Sequence, residues 1–528
     1  MKHGALLLIL LCGLTLLPGL GRQVMERQQE LRVTLTARDM IETGRWLVPH
    51  FQDEPRLKKP PAMYWIVAGF YALCDTTTSA TVSRIPNVLI TMFLMAAVYW
   101  AGLTFVQNGK TALMAVVLAV SAFITQRYAR VAETDMAQAL FVTLSCVACF
   151  KALTQERACR WWILAGVFSG LGFMIKGPAS ILLPLLAVAV FLVLRRIAGK
   201  PSGLRWGFLW MLPVFALIAL PWYVMLEIFP STDAIADAAV GSEMQAMIDR
   251  AGAGHPAPFY FYLLRAPIAF LPWGLLIFPA VWMFWKGRRQ SDGHSFALGW
   301  FAVTLILLSA LYNKQQHYIL LLLPSAAVLS AALVMPWIEG QPGRMNKFVG
   351  GYFIFLLIVS TAMSVAAFVF PSVLDWLPCG PMMIAGAAFA AIAAAGWVLI
   401  ANRNRRFAVV VVWAFMAAIV YMYIFILHPF HRPETIIPEF VCEAKSVLDD
   451  SEKVYFIGRK RGTVEFYANR HTIYMRDETP ESLWPRMGPG SALVTVMKIR
   501  ESDPAESVSV RPVLESARGE IRCRIYVK

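Results

Sequence analysis

The sequence predicts an all-α polytopic membrane protein of about thirteen transmembrane helices, with an amphipathic first outer loop and a small C-terminal α/β extracytoplasmic domain. Of its 528 residues, 58% are hydrophobic and only 15% are charged, whereas soluble proteins carry about 25% charged residues. This composition excludes a cytosolic enzyme, a disordered chain and a secreted disulfide scaffold. The net charge of +15 is typical of cytoplasmic loops that face anionic lipid head groups. We therefore expect membrane lipids, and no nucleic acid, as partners.

Apolar stretches long enough to cross a bilayer, about 17–25 residues, recur along the chain. Thirteen of them lie at 4–20, 83–106, 111–126, 132–153, 160–175, 178–196, 205–227, 262–286, 294–312, 317–337, 346–370, 381–401 and 406–427. A shorter apolar run at 61–74 is predicted to be interfacial or re-entrant. The first stretch also fits a signal peptide, but its exit at 17–21 lacks an A-x-A cleavage site.

The distribution of basic residues predicts the orientation. With the N-terminus in the cytoplasm, sixteen Lys and Arg residues fall in short cytoplasmic loops. The outer loops after residue 106 hold five, namely Arg127, Arg130, Lys176, Arg250 and Lys314. Cytoplasmic loops carry the excess of positive charge, and counting 61–74 as a span would invert that excess. We therefore predict a multi-pass membrane protein whose N-terminus is cytoplasmic.

This topology predicts two domains. Residues 1–427 form the transmembrane module, whose large outer loops are 21–82 and 228–261. Residues 430–528 form a soluble domain on the outer side, which we call the tail.

The tail is predicted to be a small α/β domain. Its segments 453–458 and 491–498 are typical of strands, and 438–449 is typical of a helix. Cys442 and Cys523 both lie in the tail, and in an oxidising compartment they are candidates for a disulfide.

The first outer loop is rich in positive charge. Eight basic side chains lie between its start and the run at 61–74, namely Arg22, Arg27, Arg32, Arg38, Arg45, Arg56, Lys58 and Lys59. One hypothesis is the solvated face of an amphipathic helix in a long loop, which the charge rule governs poorly. The other is a phosphate cradle, because guanidinium and ammonium groups match phosphate in geometry and charge. Within this loop, 27–41 predicts a helix that Gly44 ends.

Ordered motifs in the first two thirds of the chain resemble a known family. In the first loop they are Ala37-Arg38-Asp39-Met40, Trp46-Leu47-Val48-Pro49-His50, Glu54-Pro55, Lys59-Pro60-Pro61 and Tyr64-Trp65. Further along they are Arg84-Ile85-Pro86, Thr134-Asp135-Met136, Lys176-Gly177-Pro178, Pro258-Phe259-Tyr260-Phe261-Tyr262, Pro272-Trp273, and 314–318 ahead of Leu323-Pro324. Over about residues 1–340, the chain resembles the GT-C membrane glycosyltransferases, in the branch of the lipid A aminoarabinose transferases and the protein O-mannosyltransferases.

The resemblance implies an inverting transfer of sugar from a polyprenyl-phosphate carrier, at the outer face of a bacterial inner membrane. It implies catalytic roles for Glu30, the second residue of the family's first-loop acidic pair, and for Asp135, the second-loop acid. The first residue of the pair is usually Asp, but here it is Gln29, so the usual general base is in doubt. An alternative role for Asp135 is structural, because an acid at the N-terminal end of a helix is stabilised by the helix dipole.

The resemblance also bears on the donor phosphate. It assigns the phosphate lysine to Lys59, and places Lys58 and His255 where the branch has two metal ligands. Because a cation replaces the usual Glu at position 58, no cofactor is certain and a divalent metal is disfavoured. The candidate donor-phosphate-binding residues are Arg32, Lys58, Lys59, His255, Lys314 and Tyr318. Tyr318 equally fits an interfacial aromatic belt.

The sequence does not identify the acceptor, which is a lipid such as lipid A, a protein or a glycan. A hydroxyl acceptor needs a carboxylate to take its proton, with Glu30 or Asp135 as candidates. An acceptor phosphate is already ionised and would tolerate Gln29. Two alternative functions are a catalytically inactive homologue that binds lipid-linked sugars and a transporter of a lipid-linked anionic solute. Transporters usually carry midplane charges and internal repeats, and neither is evident in the sequence.

Overall fold

The protein is described by a computed structural model in which helices dominate. It describes residues 12–228, 257–287, 291–369, 379–423, 436–458, 461–475, 480–498, 511–518 and 521–528, apart from 53, 157, 202, 205, 344, 403 and 404. The helices up to residue 228 are α1 Gln28–Thr43, α2 Ala62–Leu73, α3 Ala80–Phe105, α4 Gly109–Ser121, α5 Phe123–Tyr128, α6 Asp135–Thr154, α7 Ala158–Lys176, α8 Ala179–Ile197, α9 Met211–Ala219 and α10 Pro221–Ile228. Those from residue 257 to residue 423 are α11 Phe261–Ala269, α12 Ile277–Gly287, α13 Asp292–Ala310, α14 Leu323–Ile338, α15 Asn346–Val369, α16 Cys379–Ala401 and α17 Arg405–Met422.

The predicted all-α membrane architecture is confirmed. In the described part of the chain, seven helices are long and apolar enough to cross a membrane, or eight if the bent pair 206–219 and 221–228 forms one span. The total of thirteen spans stays a prediction. Residues 1–11, which hold the first eight residues of the predicted span 4–20, lie outside the described residues. The run at 61–74 forms the short helix α2.

The predicted span 205–227 bends between α9 and α10, and two other predicted spans are interrupted at positions that contact each other. The stretch 111–126 breaks at Ala122 between α4 and α5, and 262–286 breaks between α11 and α12. The backbone N–H of Phe123 donates to the carbonyl of Leu271 at 2.9 Å. The indole N–H of Trp273 donates to the Ser121 hydroxyl at 2.6 Å. A broken helix inside a membrane protein frees polar groups that need partners, and here each break supplies partners to the other.

Helix α1 is the predicted first-loop helix, and it is buried on two faces. Val33, Ala37 and Met40 pack in a cluster with α2, whereas Leu31 and Leu35 pack against Phe466 of the tail. The helix ends at Gly44, as predicted, with a φ of 72°. Glycine adopts this left-handed backbone conformation at little energetic cost because it has no Cβ.

The tail is an α/β domain, as predicted. Its helices are α18 Ile436–Glu443, α19 Lys445–Asp450, α20 Arg461–Ala468 and α21 Pro480–Leu483. A small hairpin in the first loop pairs β1 His50–Phe51 with β2 Glu54–Pro55. The tail sheet contains β3 Val454–Gly458, β4 Ile473–Tyr474, β5 Ala492–Lys498, β6 Leu514–Arg518 and β7 Ile521–Val527.

The tail sheet has the order β4-β3-β5-β7-β6. Strand β3 pairs in parallel with β4 and β5, and the other pairs are antiparallel. Both predicted strands are confirmed. The helical segment predicted at 438–449 is confirmed, and a turn at Ala444 divides it into two short helices. Cys442 is exposed, Cys523 is buried in the sheet, and both thiols are free, so the candidate disulfide is not formed.

The tail is attached to the first loop through Arg38. Its guanidinium donates to the carbonyl of Glu465 and to Oδ1 of Asn469, both at 3.2 Å, at the C-terminal end of α20. Cations suit that end of a helix because its last carbonyl groups lack intrahelical partners. Nearby, the backbone N–H of Met25 donates to the Tyr467 hydroxyl at 3.1 Å. The tail therefore lies on the same side of the protein as the first loop.

We expect Arg38→Ala to loosen this attachment. Hydrogen bonds from charged groups contribute about 1.5–3 kcal/mol, so amide exchange in α20 should become roughly tenfold faster or more. Hydrogen–deuterium exchange by mass spectrometry measures it. Arg45→Ala is the control, because Arg45 pairs with Asp39 at an exposed site on the same loop. Equal exchange of α20 in both variants would contradict the assigned role of Arg38.

Candidate functional site

A buried ion pair fixes the N-terminal part of α1. The Arg84 guanidinium donates to both carboxylate oxygens of Glu30, at 2.8 and 3.1 Å. It also donates to the carbonyls of Leu20 and Gln23, and Glu30 accepts a further bond from the N–H of Ala132 at 2.9 Å. The side chains of Glu30 and Arg84 are each about 1% exposed. Glu30, a predicted catalytic residue, is thus held by Arg84 and the backbone.

Asp135 lies in a second ionic cluster. It is the first residue of α6, and Lys176, the last residue of α7, donates to its carboxylate. Nε2 of His317 lies 3.8 Å from the same carboxylate oxygen. Lys176 also lies over the ring of Tyr318, at 4.8 Å from the centroid. Three segments that are distant in sequence therefore converge on Asp135.

Lys59 joins this cluster from the first loop. Its ammonium group donates to Oε1 of Gln29 at 3.3 Å, so the residue that replaces the family's usual Asp contacts the predicted phosphate lysine. Burial, together with the positive charge of Lys176, lowers the pKa of Lys59 to about 8, while Asp135 opposes the shift. Lys59 therefore sits among charges of both signs.

A third acidic residue lies in the loop ahead of α6. Glu133 is 2% exposed and pairs with Arg27, with Nη2 at 3.1 Å from Oε1. The Arg27 guanidinium lies over the Tyr128 ring, 4.8 Å from its centroid. Burial raises the pKa of Glu133 to about 7. This loop falls inside the predicted span 132–153, but the helix begins only at Asp135.

The remaining predicted phosphate residues lie in different surroundings. Arg32 is half-buried, and burial, with the positive charge of Arg56, lowers its pKa. Lys58 is exposed. Lys314 is 7% exposed and donates to the carbonyl of Leu311 near the end of α13. His255 lies outside the described residues.

The two hypotheses for the basic first loop can be compared with these positions. Arg38 and Arg56 are 7% and 9% exposed, so they do not form a solvated face. Arg56 donates to the Tyr64 hydroxyl at 3.0 Å, and Arg38 contacts the tail. Lys59 donates to Gln29, and its charge interacts with those of Asp135 and Lys176.

The described residues place several acidic side chains and His317 near the site. Among them, no three His, Cys, Asp or Glu side chains come together in a set that could hold a metal ion. The carboxylates of Glu30, Asp135 and Glu133 each face a cation instead.

Sequence reasoning did not assign roles to Lys176, His317, Arg84 or Glu133. The first three lie in motifs that the sequence shares with the family, but a motif does not reveal which side chains pair. Glu133 has one local signal, because it stands two residues before Asp135 at the edge of an apolar stretch.

Known structures and sequences resemble this chain. Residues 58–224 match the family described as dolichyl-phosphate-mannose-protein mannosyltransferase. The structure superimposes on ArnT from Cupriavidus metallidurans bound to undecaprenyl phosphate with a TM-score of 0.74 and 17% identity, over 99% of this chain and 98% of that one. The predicted resemblance to the GT-C superfamily is confirmed.

Other relatives agree with the GT-C fold. An undecaprenyl phosphate-alpha-4-amino-4-deoxy-L-arabinose arabinosyl transferase of Proteus mirabilis is 28% identical over 62% of this chain and 59% of its own length. A transferase with the same description from Aeromonas salmonicida is 27% identical over 80% of this chain and 77% of its own length. The oligosaccharyltransferase of Archaeoglobus fulgidus has a TM-score of 0.53 at 10% identity, over 94% of this chain and 69% of that one. The matched region thus spans about three fifths of the length of the first of these relatives. The chain is a multi-pass inner-membrane protein with a GT-C fold.

Proposed function

We propose that this protein is an inverting glycosyltransferase that moves a sugar from a polyprenyl-phosphate carrier to an envelope acceptor at the outer face of the inner membrane. The observation that carries the proposal is the meeting of Lys59, Lys176, Asp135 and His317 in one site of a GT-C fold. The relatives' descriptions name undecaprenyl phosphate-linked aminoarabinose, and ArnT was solved with undecaprenyl phosphate. Both favour a polyprenyl-phosphate donor here.

The contacts between loops support the proposed orientation. The first loop, the loop before α6, the end of α7 and the 314–318 segment meet at the site, and all were assigned to the outer side from charge. Loops assigned to the cytoplasm contact one another instead. Lys110 pairs with Glu339 at 2.8 Å, and Lys200 pairs with Asp292 at 2.9 Å. A cytoplasmic N-terminus and an outer tail fit both sets of contacts.

The proposed mechanism follows from the charges. Lys59 and Lys176 bind the donor phosphate and stabilise the negative charge that grows on it as the glycosidic C–O bond breaks. Fixed charges in a preorganised site are usually the largest catalytic contribution. Asp135 orients Lys176, and the acceptor attacks the sugar from the face opposite the phosphate. Because Arg84 holds Glu30, we propose that Glu30 positions α1, and with it Gln29 beside Lys59.

A transfer assay tests this function. Membranes that contain the full chain are supplied with a panel of radiolabelled undecaprenyl-phosphate sugars, and label is followed in the donor, lipid, protein and glycan fractions. We expect label to move into one acceptor fraction, and Asp135→Asn to reduce the rate about 10²-fold or more because Lys176 loses its orienting partner. Glu156→Gln is the control, because Glu156 is exposed beyond the other end of α6.

Two outcomes would replace this proposal. If the donor binds but is never consumed, the protein is an inactive homologue. The replacement of the family's usual Asp by Gln29 makes this the second candidate function, and Gln29→Asp is then the variant to assay. Unmodified donor that crosses the membrane indicates a transporter.

A further inference from the structure

A cavity lies between the first-loop hairpin and the tail. Its volume is about 510 Å³, within the range of small-molecule sites, which is about 300–1,000 Å³. The two walls supply aromatic, charged and amide side chains, namely Phe51, Gln52 and Glu54 from the hairpin and Arg461, His471 and Tyr474 from the tail. None of these residues belongs to the cluster around Lys59, so the cavity is a separate site.

One buried carboxylate holds the polar side chains of both walls. Glu465 is 2% exposed, and it accepts a hydrogen bond from the side-chain amide of Gln52. Nη2 of Arg461 lies 3.3 Å from Oε1 of Glu465, and Nδ1 of His471 lies 3.6 Å from the same oxygen. Because these groups are already fixed, they lose little entropy when a ligand binds.

The backbone of Gln52 is also held in an unusual conformation. Its φ is 57°, a left-handed value that is uncommon for residues other than glycine. Such a conformation persists where surrounding contacts hold it, and it is frequent at ligand sites. The bond from Gln52 to Glu465 is a contact of that kind.

Two aromatic rings line the cavity, one on each wall. Phe51 is half-buried in the hairpin, and Tyr474 is 40% exposed at the end of β4. The Arg461 guanidinium lies 5.6 Å from the centroid of the Tyr474 ring, which helps to fix that ring. Aromatic rings present flat apolar faces, and the C–H groups on the faces of a sugar ring pack on such surfaces while its hydroxyl groups point away.

The charges on the described walls are of both signs. Glu465 offsets Arg461 from behind, and Glu54 is exposed on the hairpin. A strongly anionic ligand would meet Glu54, and an acyl chain would take charged groups out of water without replacing their hydrogen bonds. A hydroxyl group both donates and accepts, so it matches a guanidinium and a carboxylate alike. The walls therefore suit an uncharged ligand with hydroxyl groups and apolar ring faces, which is a carbohydrate.

We propose that this cavity binds carbohydrate, and that it holds sugar rings of the acceptor during transfer. The second part rests on the proposed function. The aromatic rings pack against the faces of the sugar, and the polar side chains bond to its hydroxyl groups. The hairpin ends at Pro55, shortly before Lys59, so one loop contacts both the acceptor and the donor phosphate. Suitable sugar rings occur in free glycans and in the head groups of glycolipids.

A binding measurement on the full-length protein tests the ligand class. The protein is purified in dodecylphosphocholine, whose head group contains no sugar, and is applied without donor to an array of neutral and acidic oligosaccharides. We expect neutral oligosaccharides to bind. Tyr474→Ala should raise their Kd about tenfold or more, as is typical of truncating an aromatic anchor, and Phe51→Ala should weaken the same ligands. Arg518→Ala is the control, because Arg518 is exposed on β6, at the opposite edge of the tail sheet from β4.

The transfer assay separates acceptor binding from a structural effect. Tyr474→Ala should raise the KM for the acceptor about tenfold and leave kcat and the KM for the donor nearly unchanged, the pattern of a lost ground-state contact. Amide exchange in α20 equal to that of the wild type shows that the tail stays attached. One bound oligosaccharide is then compared with and without a diacylglycerol anchor. Equal affinity indicates a free glycan as acceptor, and tighter binding of the anchored form indicates a glycolipid.

The failure of this inference differs from the failure of the proposed function. If no oligosaccharide binds, or if Tyr474→Ala binds as tightly as Arg518→Ala, the cavity is not a carbohydrate site, and the transfer assay alone decides the function. Transfer to a protein without carbohydrate, or an unchanged KM for the acceptor in Tyr474→Ala, overturns the acceptor role. A wild type that binds oligosaccharides but consumes no donor overturns the proposed function and the acceptor role, while the carbohydrate site stands.

Discussion

Arg84→Ala will destabilise the protein by about 3–5 kcal/mol, because it leaves the carboxylate of Glu30 buried without its cation. The same change removes the bonds from Arg84 to the carbonyls of Leu20 and Gln23. These bonds join α3 to the chain just before α1, so α1 should lose its fixed position as well. We expect a large drop in the midpoint of thermal unfolding in detergent, measured by intrinsic fluorescence.

Two variants make this prediction specific. Arg45→Ala removes another arginine that lies 2.8 Å from a carboxylate, but its side chain is 42% exposed, and exposed pairs contribute about 0–1 kcal/mol. Replacing both members of the buried pair, with Arg84→Met and Glu30→Leu, should recover much of the lost stability because no lone charge stays buried. If Arg84→Ala and Arg45→Ala lower the midpoint equally, the structural role of the Glu30–Arg84 pair is wrong.

Lys59→Ala will reduce sugar transfer about 10²–10³-fold, the loss typical of removing one donor that stabilises charge in the transition state. Radiolabel transfer from an undecaprenyl-phosphate sugar measures the change. Because Lys59 is proposed to bind the phosphate in the ground state as well, the KM for the donor should also rise. A Lys59→Ala variant with wild-type kcat and KM would place the phosphate elsewhere.

The pH dependence tests the same residue with a definite sign. Burial holds the pKa of Lys59 at about 8, so the ammonium is charged below that pH and neutral above it. The kcat/KM for the donor should therefore fall as pH rises through about 8. Arg stays charged at these pH values, so Lys59→Arg should lack this alkaline limb even if its rate is lower. An alkaline limb that persists in Lys59→Arg would assign the titration to another group.

Local sequence was sufficient for the elements of this fold. The length of the apolar runs predicted membrane helices, Gly44 predicted the end of α1, and the segments 453–458 and 491–498 predicted β3 and β5. The sequence was less successful in predicting whether each membrane helix is continuous. The breaks at Ala122 and between α11 and α12 depend on hydrogen bonds between two distant segments, and hydropathy does not contain that information.

The sequence by itself determined the fold class, the first loop with its basic residues, and the family resemblance. These depend on composition and on motifs that are local in the chain. Only the tertiary structure decided which carboxylate pairs with which cation. Glu30 meets Arg84 across 54 residues, Asp135 meets Lys176 across 41, and Glu133 meets Arg27 across 106. The chemistry of an acid depends on its burial and its partners, and both are set by packing between helices that are far apart in the sequence.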